Sequence, residues 1–375
     1  MHFAVNNMNN SYLYVDIDIL RRNIRTILAS LPEGTQLIPV LKDDAYGLGL
    51  KRIAQAIEEF DCIKCIGVAH VSEGLALRSY GCKLDILVMG SALPFQLPAA
   101  IGAHLTLAAG ASEFVHKLDK VASALGERVS VHVKIDTGLH RLGVEPGAEL
   151  GELIDALDAA GNVDAVGVFS HFADTANKQF SAQQYAQFTL ALDQLNSAGY
   201  TGLLRHISSS ASHEQYPEYA LDAVRIGRGL YMDSPDHVSH GIDEMVTWRT
   251  FITAIKGRHA GDGLGYGGAF HLEHDARVAT IGVGYGDGLD TKLCDVHAAV
   301  LIAGKKCPLL ASCMDQAFVD VSGVDCAVGD AVTIYGYDSL GNCLASQDQA
   351  LLIGSDEGCG LTSELSQRVT RVYSE

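Results

Sequence analysis

The sequence predicts an α/β fold: an N-terminal (β/α)8 TIM barrel over residues 12–240, followed by a mostly antiparallel β domain over residues 241–375. Between residue 36 and about residue 230, short apolar, β-branched runs alternate with longer segments of helical periodicity. After about residue 245 the helical rhythm stops, and short alternating runs punctuated by Gly and Asp replace it. Ionisable and hydroxyl side chains recur at the ends of the early runs, where a barrel gathers its chemistry.

The run Tyr12–Ile17 precedes the barrel rhythm and could pair with the C-terminal domain. Eight runs then read as parallel strands: Gln36–Leu41, Lys64–Ala69, Asp85–Met89, His104–Ala108, Val129–Ile135, Ala165–Ser170, Leu203–Ile207 and Ala223–Ile226. Between them Leu50–Phe60, Glu113–Leu125, Ala148–Ala160 and Ala182–Ala198 place apolar residues at intervals of three and four, as helices with one buried face do. Strands of the β domain are expected at Thr247–Ile255, Ala276–Val283, His297–Ile302, Cys307–Leu310, Gln316–Val321 and Ala331–Tyr335.

A net charge of −18 with no Lys/Arg block argues against nucleic acid and against an anionic membrane surface as partners. Met1 to Asn10 lack the basic start and apolar stretch of a secretory signal, and no run approaches the ~18 apolar residues of a spanning helix, so a cytoplasmic location is expected. Nine cysteines scattered through a long chain read as reduced thiols. Cys62 and Cys65 form a C-x-x-C pair with no second pair or nearby histidine, and no metal site is expected.

Lys42 ends the first apolar run, with Tyr46 and Gly47 close behind. A lysine where a buried strand meets a loop can lose hydration, which frees its amine to condense with a carbonyl. His132-Val133-Lys134-Ile135-Asp136-Thr137-Gly138 and the following Arg141 crowd charge and glycine at another strand end, which demands mutual hydrogen bonding. His171 follows the next strand. Ser208-Ser209-Ser210 and Arg225-Ile226-Gly227-Arg228-Gly229 supply hydroxyls, amides and guanidinium groups after the last two strands, where a barrel holds a phosphate. In the second domain Tyr266 stands among Gly263, Gly265, Gly267 and Gly268, and Tyr285, Met314 and Asp315 close further strands.

Taken together, these segments resemble the alanine racemase family of pyridoxal-phosphate enzymes from about Tyr12 to Tyr373. The resemblance is carried by Val40 to Gly47 around Lys42, Lys134 to Gly143, Ser170 to Ala173 around His171, Gly284 to Gly288 around Tyr285, and Met314-Asp315-Gln316. It implies a cytoplasmic homodimer with shared active sites that makes D-alanine, a peptidoglycan precursor. Lys42 would hold pyridoxal 5'-phosphate covalently and act as one base, with Tyr266 of the partner subunit as the other. Arg225 would contact the pyridine nitrogen. Tyr46, Ser209, Ser210, Gly227 and Arg228 would surround the phosphate. Arg141 would lie near the ring oxygen, held by Lys134, which is carbamylated in some relatives. His171 would orient Arg225, and Tyr285 with Met314 and Asp315 would meet the substrate.

Three positions depart from the family: Ser209 replaces an asparagine, Arg228 replaces an apolar residue, and the phosphate-binding tyrosine is replaced within Gly358-Cys359-Gly360. Arg228 is expected to offset the lost phenol. The segment from Gly358 to Leu365 is similar to the serine racemase branch, so serine or a broader set of amino acids is an alternative to alanine. A related decarboxylase and a non-catalytic pyridoxal-phosphate binding protein are the other readings. Tyr266 and Arg225 argue against the binding protein, which needs neither.

Overall fold

The computed structural model describes residues 9–232, 241–355 and 359–374, without the side chain of Cys359. The chain forms two compact units: residues 25–45 with 50–230, and residues 1–24 with 46–49 and 231–375.

The first strand, β1 (Ser11–Val15), stops where Asp16 accepts the Ile19 amide and caps the helix Ile17–Ser30. Ile17, expected in a strand, therefore opens that helix. Eight parallel strands follow in the unit that contains Lys42: β2 (Gln36–Pro39), β3 (Cys65–Val68), β4 (Asp85–Val88), β5 (Thr106–Ala109), β6 (Val129–Lys134), β7 (Val163–Phe169), β8 (Leu204–His206) and β9 (Ala223–Ile226). Strands β3 to β8 pair in sequence order, and β9 pairs with β2. The Val40–Gly67 bridge joins β2 to β3, and the Arg225 amide donates to the Ser208 carbonyl, so the barrel closes.

The alternation of strand and helix is placed correctly by the sequence, with ends moved by local capping. Strand β5 starts at Thr106 rather than His104, because His104 takes a positive φ of 50° as the chain leaves the preceding helix. The helix Lys178–Ser197 starts four residues before Ala182, because Asn177 accepts the Phe180 amide. The helix after Lys42 ends at Ile57, short of Phe60.

The other unit is built on β10 (Val246–Arg258), which is long and interrupted by two register shifts. The hairpin strands β11 (Gly263–Leu264) and β12 (Phe270–His271) come next, then β13 (Ala276–Ile281), β14 (Ala299–Ile302), β15 (Lys305–Ser312), β16 (Ala317–Asp320), β17 (Ala331–Tyr337), β18 (Cys343–Leu344) and β19 (Thr370–Tyr373). Antiparallel pairings run β10–β13–β16–β15–β14–β17 and return to β10, a closed ring that leaves none of these strands with two open edges. Strand β1 adds to β10 antiparallel and to β19 in parallel. Trp248, which is buried, donates its indole N–H to Ser11 Oγ at 2.7 Å and ties the first strand down.

Candidate active site

The ends of β6 to β9 bring one buried polar cluster together. His132 and Lys134 occupy alternate positions of β6, so both face the same side of the strand. Both are 4% exposed, as is Arg225 on β9, and His206 at the end of β8 is fully buried. Nη1 of Arg225 donates to Nδ1 of His206 at 2.7 Å, and the His206 and His132 rings meet at 2.8 Å. Nη2 of Arg225 donates to the carbonyls of Ser170 at 2.7 Å and Ile207 at 3.0 Å, and meets Nδ1 of His171 at 3.1 Å. Phe169 stacks on His206 with ring centroids 5.2 Å apart, and Lys134 Nζ lies 4.6 Å from the Phe169 centroid.

None of these hydrogen-bond partners of Arg225 is a carboxylate, so its charge is held by carbonyl dipoles and neutral imidazoles. Burial, then Arg141, pulls its pKa down to about 9, which leaves the guanidinium charged near neutral pH. Burial, then Arg225 and Arg141, lowers Lys134 to about 7. His132 falls to about 4 through burial and Arg225. His171 and His206 lie well below the ordinary histidine value, again by burial first and Arg225 second.

Ser210 Oγ accepts the amides of Gly227 and Gly229, each at 3.3 Å, so a hydroxyl and two N–H groups converge at the ends of β8 and β9. Arg228 opens the single turn Arg228–Leu230 directly after Gly227 and is half-buried. Ser209 caps the short helix Ser210–Gln215, its amide donating to Ser212 Oγ at 2.7 Å.

Lys42 is exposed, which corrects the expectation that its strand-end position removes it from water: the β2 strand stops at Pro39 and the chain turns outward after Leu41. The turn that follows is left-handed, with φ near 55° from Asp43 to Ala45 and 58° at Tyr46. Arg141 is exposed, and among the described residues no hydrogen bond links it to Lys134; its influence on Lys134 is electrostatic. The carboxylate of Asp136 accepts the amides of Gly138 and His140 and shapes the loop between them.

In the other unit the hairpin of β11 and β12 is anchored by Leu264 and Phe270, packed with Leu272, Leu310 and Phe318. Positive φ at Gly265, Gly267 and Gly268 turns the chain tightly between them, and Tyr266 is left 69% exposed. The turn Tyr285–Asp287 is bonded to the loop of Met314: the Tyr285 amide donates to the Cys313 carbonyl at 3.1 Å and the Gly286 amide to the Met314 carbonyl at 2.8 Å. Buried Asp287 secures that turn by accepting the Gly284 amide and pairing with Arg368 at 3.2 Å. Tyr285, Met314 and Asp315 are exposed beside one another.

Sequence reasoning gave no role to His132 and His206, although the H-x-K spacing of His132 and Lys134 on one strand signals a shared face. Gly358 and the Cys359 side chain lie outside the described residues. The Cys65 thiol is pushed up to about 12, chiefly by burial, and no metal-ligating cluster exists among the described residues. None of the helices described is long and apolar enough to cross a membrane.

A closed barrel that gathers ionisable groups at its strand ends is a framework that enzymes commonly use, and comparison with known proteins specifies the class. Residues 15–235 match the family model described as alanine racemase, N-terminal domain, and residues 245–373 match alanine racemase, C-terminal domain. The alanine racemase of Desulfovibrio desulfuricans is 34% identical over 96% of this chain and 97% of its own. That of Geobacter sulfurreducens is 32% identical over 96% of each. The crystal structure of alanine racemase from D-cycloserine producing Streptomyces lavendulae superposes with a TM-score of 0.92 at 28% identity, covering 99% of this chain and 98% of that one. The chain belongs to the alanine racemase family, and it is an isomerase of the amino-acid racemase type.

Proposed function

We propose that this protein interconverts L- and D-alanine with pyridoxal 5'-phosphate, in a homodimer whose sites combine Lys42 of one subunit with Tyr266 of the partner subunit. The observation that carries this reading is the buried Arg225 guanidinium, held without a carboxylate among imidazoles and carbonyls at the strand ends of a racemase-family barrel. The residues fit the cofactor. Ser210 Oγ and the Gly227 and Gly229 amides converge as a phosphate site requires, and Arg225 offers a fixed cation to a ring nitrogen.

Pyridoxal phosphate would be held by Lys42 at its aldehyde carbon, by Tyr46, Ser209, Ser210, Gly227 and Arg228 at its phosphate, and by Arg225 at its ring nitrogen. When bound, its conjugated ring would draw electron density from the substrate α-carbon and make the α-proton removable. Lys42 Nζ and the phenol oxygen of Tyr266 of the partner subunit would stand on opposite sides of that carbon. One would take the proton while the other returns one, which inverts the centre. Arg225, rigidly held and always a donor, would keep the ring nitrogen unprotonated and so limit competing reactions. Arg141 would lie near the ring oxygen on the substrate side, while from the partner subunit Tyr285 and the Met314 amide would receive the substrate carboxylate and Asp315 would stand beside them. His171 would orient Arg225.

The exposure of Tyr266, Tyr285 and Met314 on a single chain supports their use against a second copy. The reading is tested by incubating the cofactor-loaded protein with individual L-amino acids and separating enantiomers by chiral chromatography. D-Alanine is the expected product. D-Serine in its place would move the substrate to serine, and an absorption change with no enantiomer formed would make the protein a carrier. Sharing of sites is tested by mixing inactive Lys42→Ala and Tyr266→Phe proteins: each mixed dimer then holds one intact site, and activity returns.

A further inference from the structure

The carboxylate of Glu73 reaches two strand ends at once. It lies in the first turn of the helix Val71–Ser79, and its Oε2 accepts the amides of Ala69 at 2.8 Å and His70 at 2.9 Å, just past β3. These two bonds cap its own helix and need no further explanation. Its Oε1 instead accepts the amide of Asp43 at 2.6 Å, thirty residues earlier and just past β2. That amide belongs to the peptide unit whose carbonyl is Lys42's own.

The chain here has reason to be held. Asp43, Asp44, Ala45 and Tyr46 have φ values of 56°, 52°, 55° and 58°, four successive side-chain-bearing residues in the left-handed region. Each is disfavoured against the right-handed alternative, and such runs persist where their surroundings over-determine them. The Ala45 amide donates to the Leu41 carbonyl at 3.1 Å, and Asp44 Oδ1 accepts the Leu50 amide at 2.7 Å. Both act within the turn or beyond it. The Glu73 bond acts on the peptide plane that adjoins the Lys42 Cα, and holding that plane restricts ψ of Lys42 and with it the direction of its Cα–Cβ bond.

We propose that Glu73 is a positioning residue for Lys42, anchoring the left-handed turn so that the Lys42 amine points to one place at the barrel mouth. The proposal rests on the reading of Lys42 as the covalent anchor. Its consequence is kinetic, because an amine held in one direction meets a carbonyl carbon more often than one that sweeps a cone.

The test compares wild-type protein with Glu73→Gln, whose amide nitrogen cannot accept and so forfeits one side of the carboxylate. The control is Asp119→Asn, in which a carboxylate that accepts the Asn162 backbone amide ahead of β7, at the opposite end of the barrel, is lost. Three quantities are read: thermal stability, affinity for pyridoxine 5'-phosphate, whose alcohol cannot condense with an amine, and the rate at which pyridoxal 5'-phosphate condenses with Lys42, its aldehyde carbon bonding to Nζ as water leaves. Borohydride reduction and peptide mass spectrometry locate the adduct. Glu73→Gln is expected to bind pyridoxine phosphate within about twofold of wild type, to condense about tenfold more slowly, and to lose kcat with KM little changed. Asp119→Asn should lose stability alone. Condensation at the wild-type rate in Glu73→Gln overturns the proposal, as does a slowing matched by Asp119→Asn at equal stability loss. If the wild-type protein forms no adduct at Lys42, the anchor reading itself falls, and the positioning role falls with it.

Discussion

Arg225 and His206 form a donor–acceptor pair of fixed polarity: Nη1 of the guanidinium lies 2.7 Å from Nδ1 of the imidazole. A guanidinium only donates, so Nδ1 of His206 accepts and its proton resides on Nε2. That Nε2 is 2.8 Å from Nδ1 of His132, which must therefore accept in turn. One cation thus sets the tautomers of two buried rings, and the rings hold the cation.

Replacing His206 with phenylalanine keeps a ring of similar size against Phe169 but removes the acceptor. The expected result is a stability loss of about 1–3 kcal/mol, the cost of a buried donor left without its partner, and a fall in kcat/KM of about tenfold or more as Arg225 loses its fixed position. Thermal denaturation and steady-state kinetics of His206→Phe check both.

Acid should weaken the fold through His132. Its pKa is about 4 in the folded chain against an ordinary 6.5, so between those values the unfolded chain binds more protons. The contribution is fully present above pH 6.5 and is lost as the pH falls towards 4. Urea midpoints of wild type should therefore drop on going from pH 7 to pH 5 by more than those of His132→Asn, and equal drops would show that the ring does not titrate this way.

Gly167 on β7 leaves the room that His132 occupies. A Cβ there would lie 2.6 Å from the ring atoms of His132, so Gly167→Ala must displace the imidazole. Overpacking of this kind costs about 1–3 kcal/mol, and the paired rings and Arg225 should shift with it. Calorimetry gives the first quantity. A reduced kcat/KM in the surviving folded protein gives the second.

Lys134, lowered to about 7, is largely neutral at pH 8, unlike an ordinary lysine near 10.5. A neutral amine adds carbon dioxide as one N–H proton is released to solvent, and the resulting carbamate anion would meet the Arg225 and Arg141 charges favourably. Intact-peptide mass spectrometry should find a bicarbonate-dependent, acid-labile addition on Lys134 whose formation rises through pH 7, with none on exposed Lys117. Lys134→Met should abolish it.

The alternation of strand and helix was legible because each strand of a buried parallel sheet must be apolar on both faces while each helix is apolar on one. Lys42, Lys134, Ser210 and Arg225 stood out because polar residues interrupt those runs at their C-terminal ends. The left-handed turn after Lys42 was not legible. Asp43 to Tyr46 contain no glycine, and that conformation is held by contacts such as the Glu73 bond to the Asp43 amide, which local sequence does not announce. Strand β19 was missed as well, since four half-buried residues carry little pattern until β1 lies beside them.

The sequence by itself determined which segments become strands, which become helices, and which chemical groups stand at their ends, because those depend on periodicity and on neighbours in the chain. Only the tertiary structure decided which groups meet. His132 and His206 are separated by 74 positions, and His206 and Arg225 by 19, yet closure of one ring of strands joins all three in one buried hydrogen-bonded chain. Burial and mutual charge then set their protonation, and neither exists until the barrel closes.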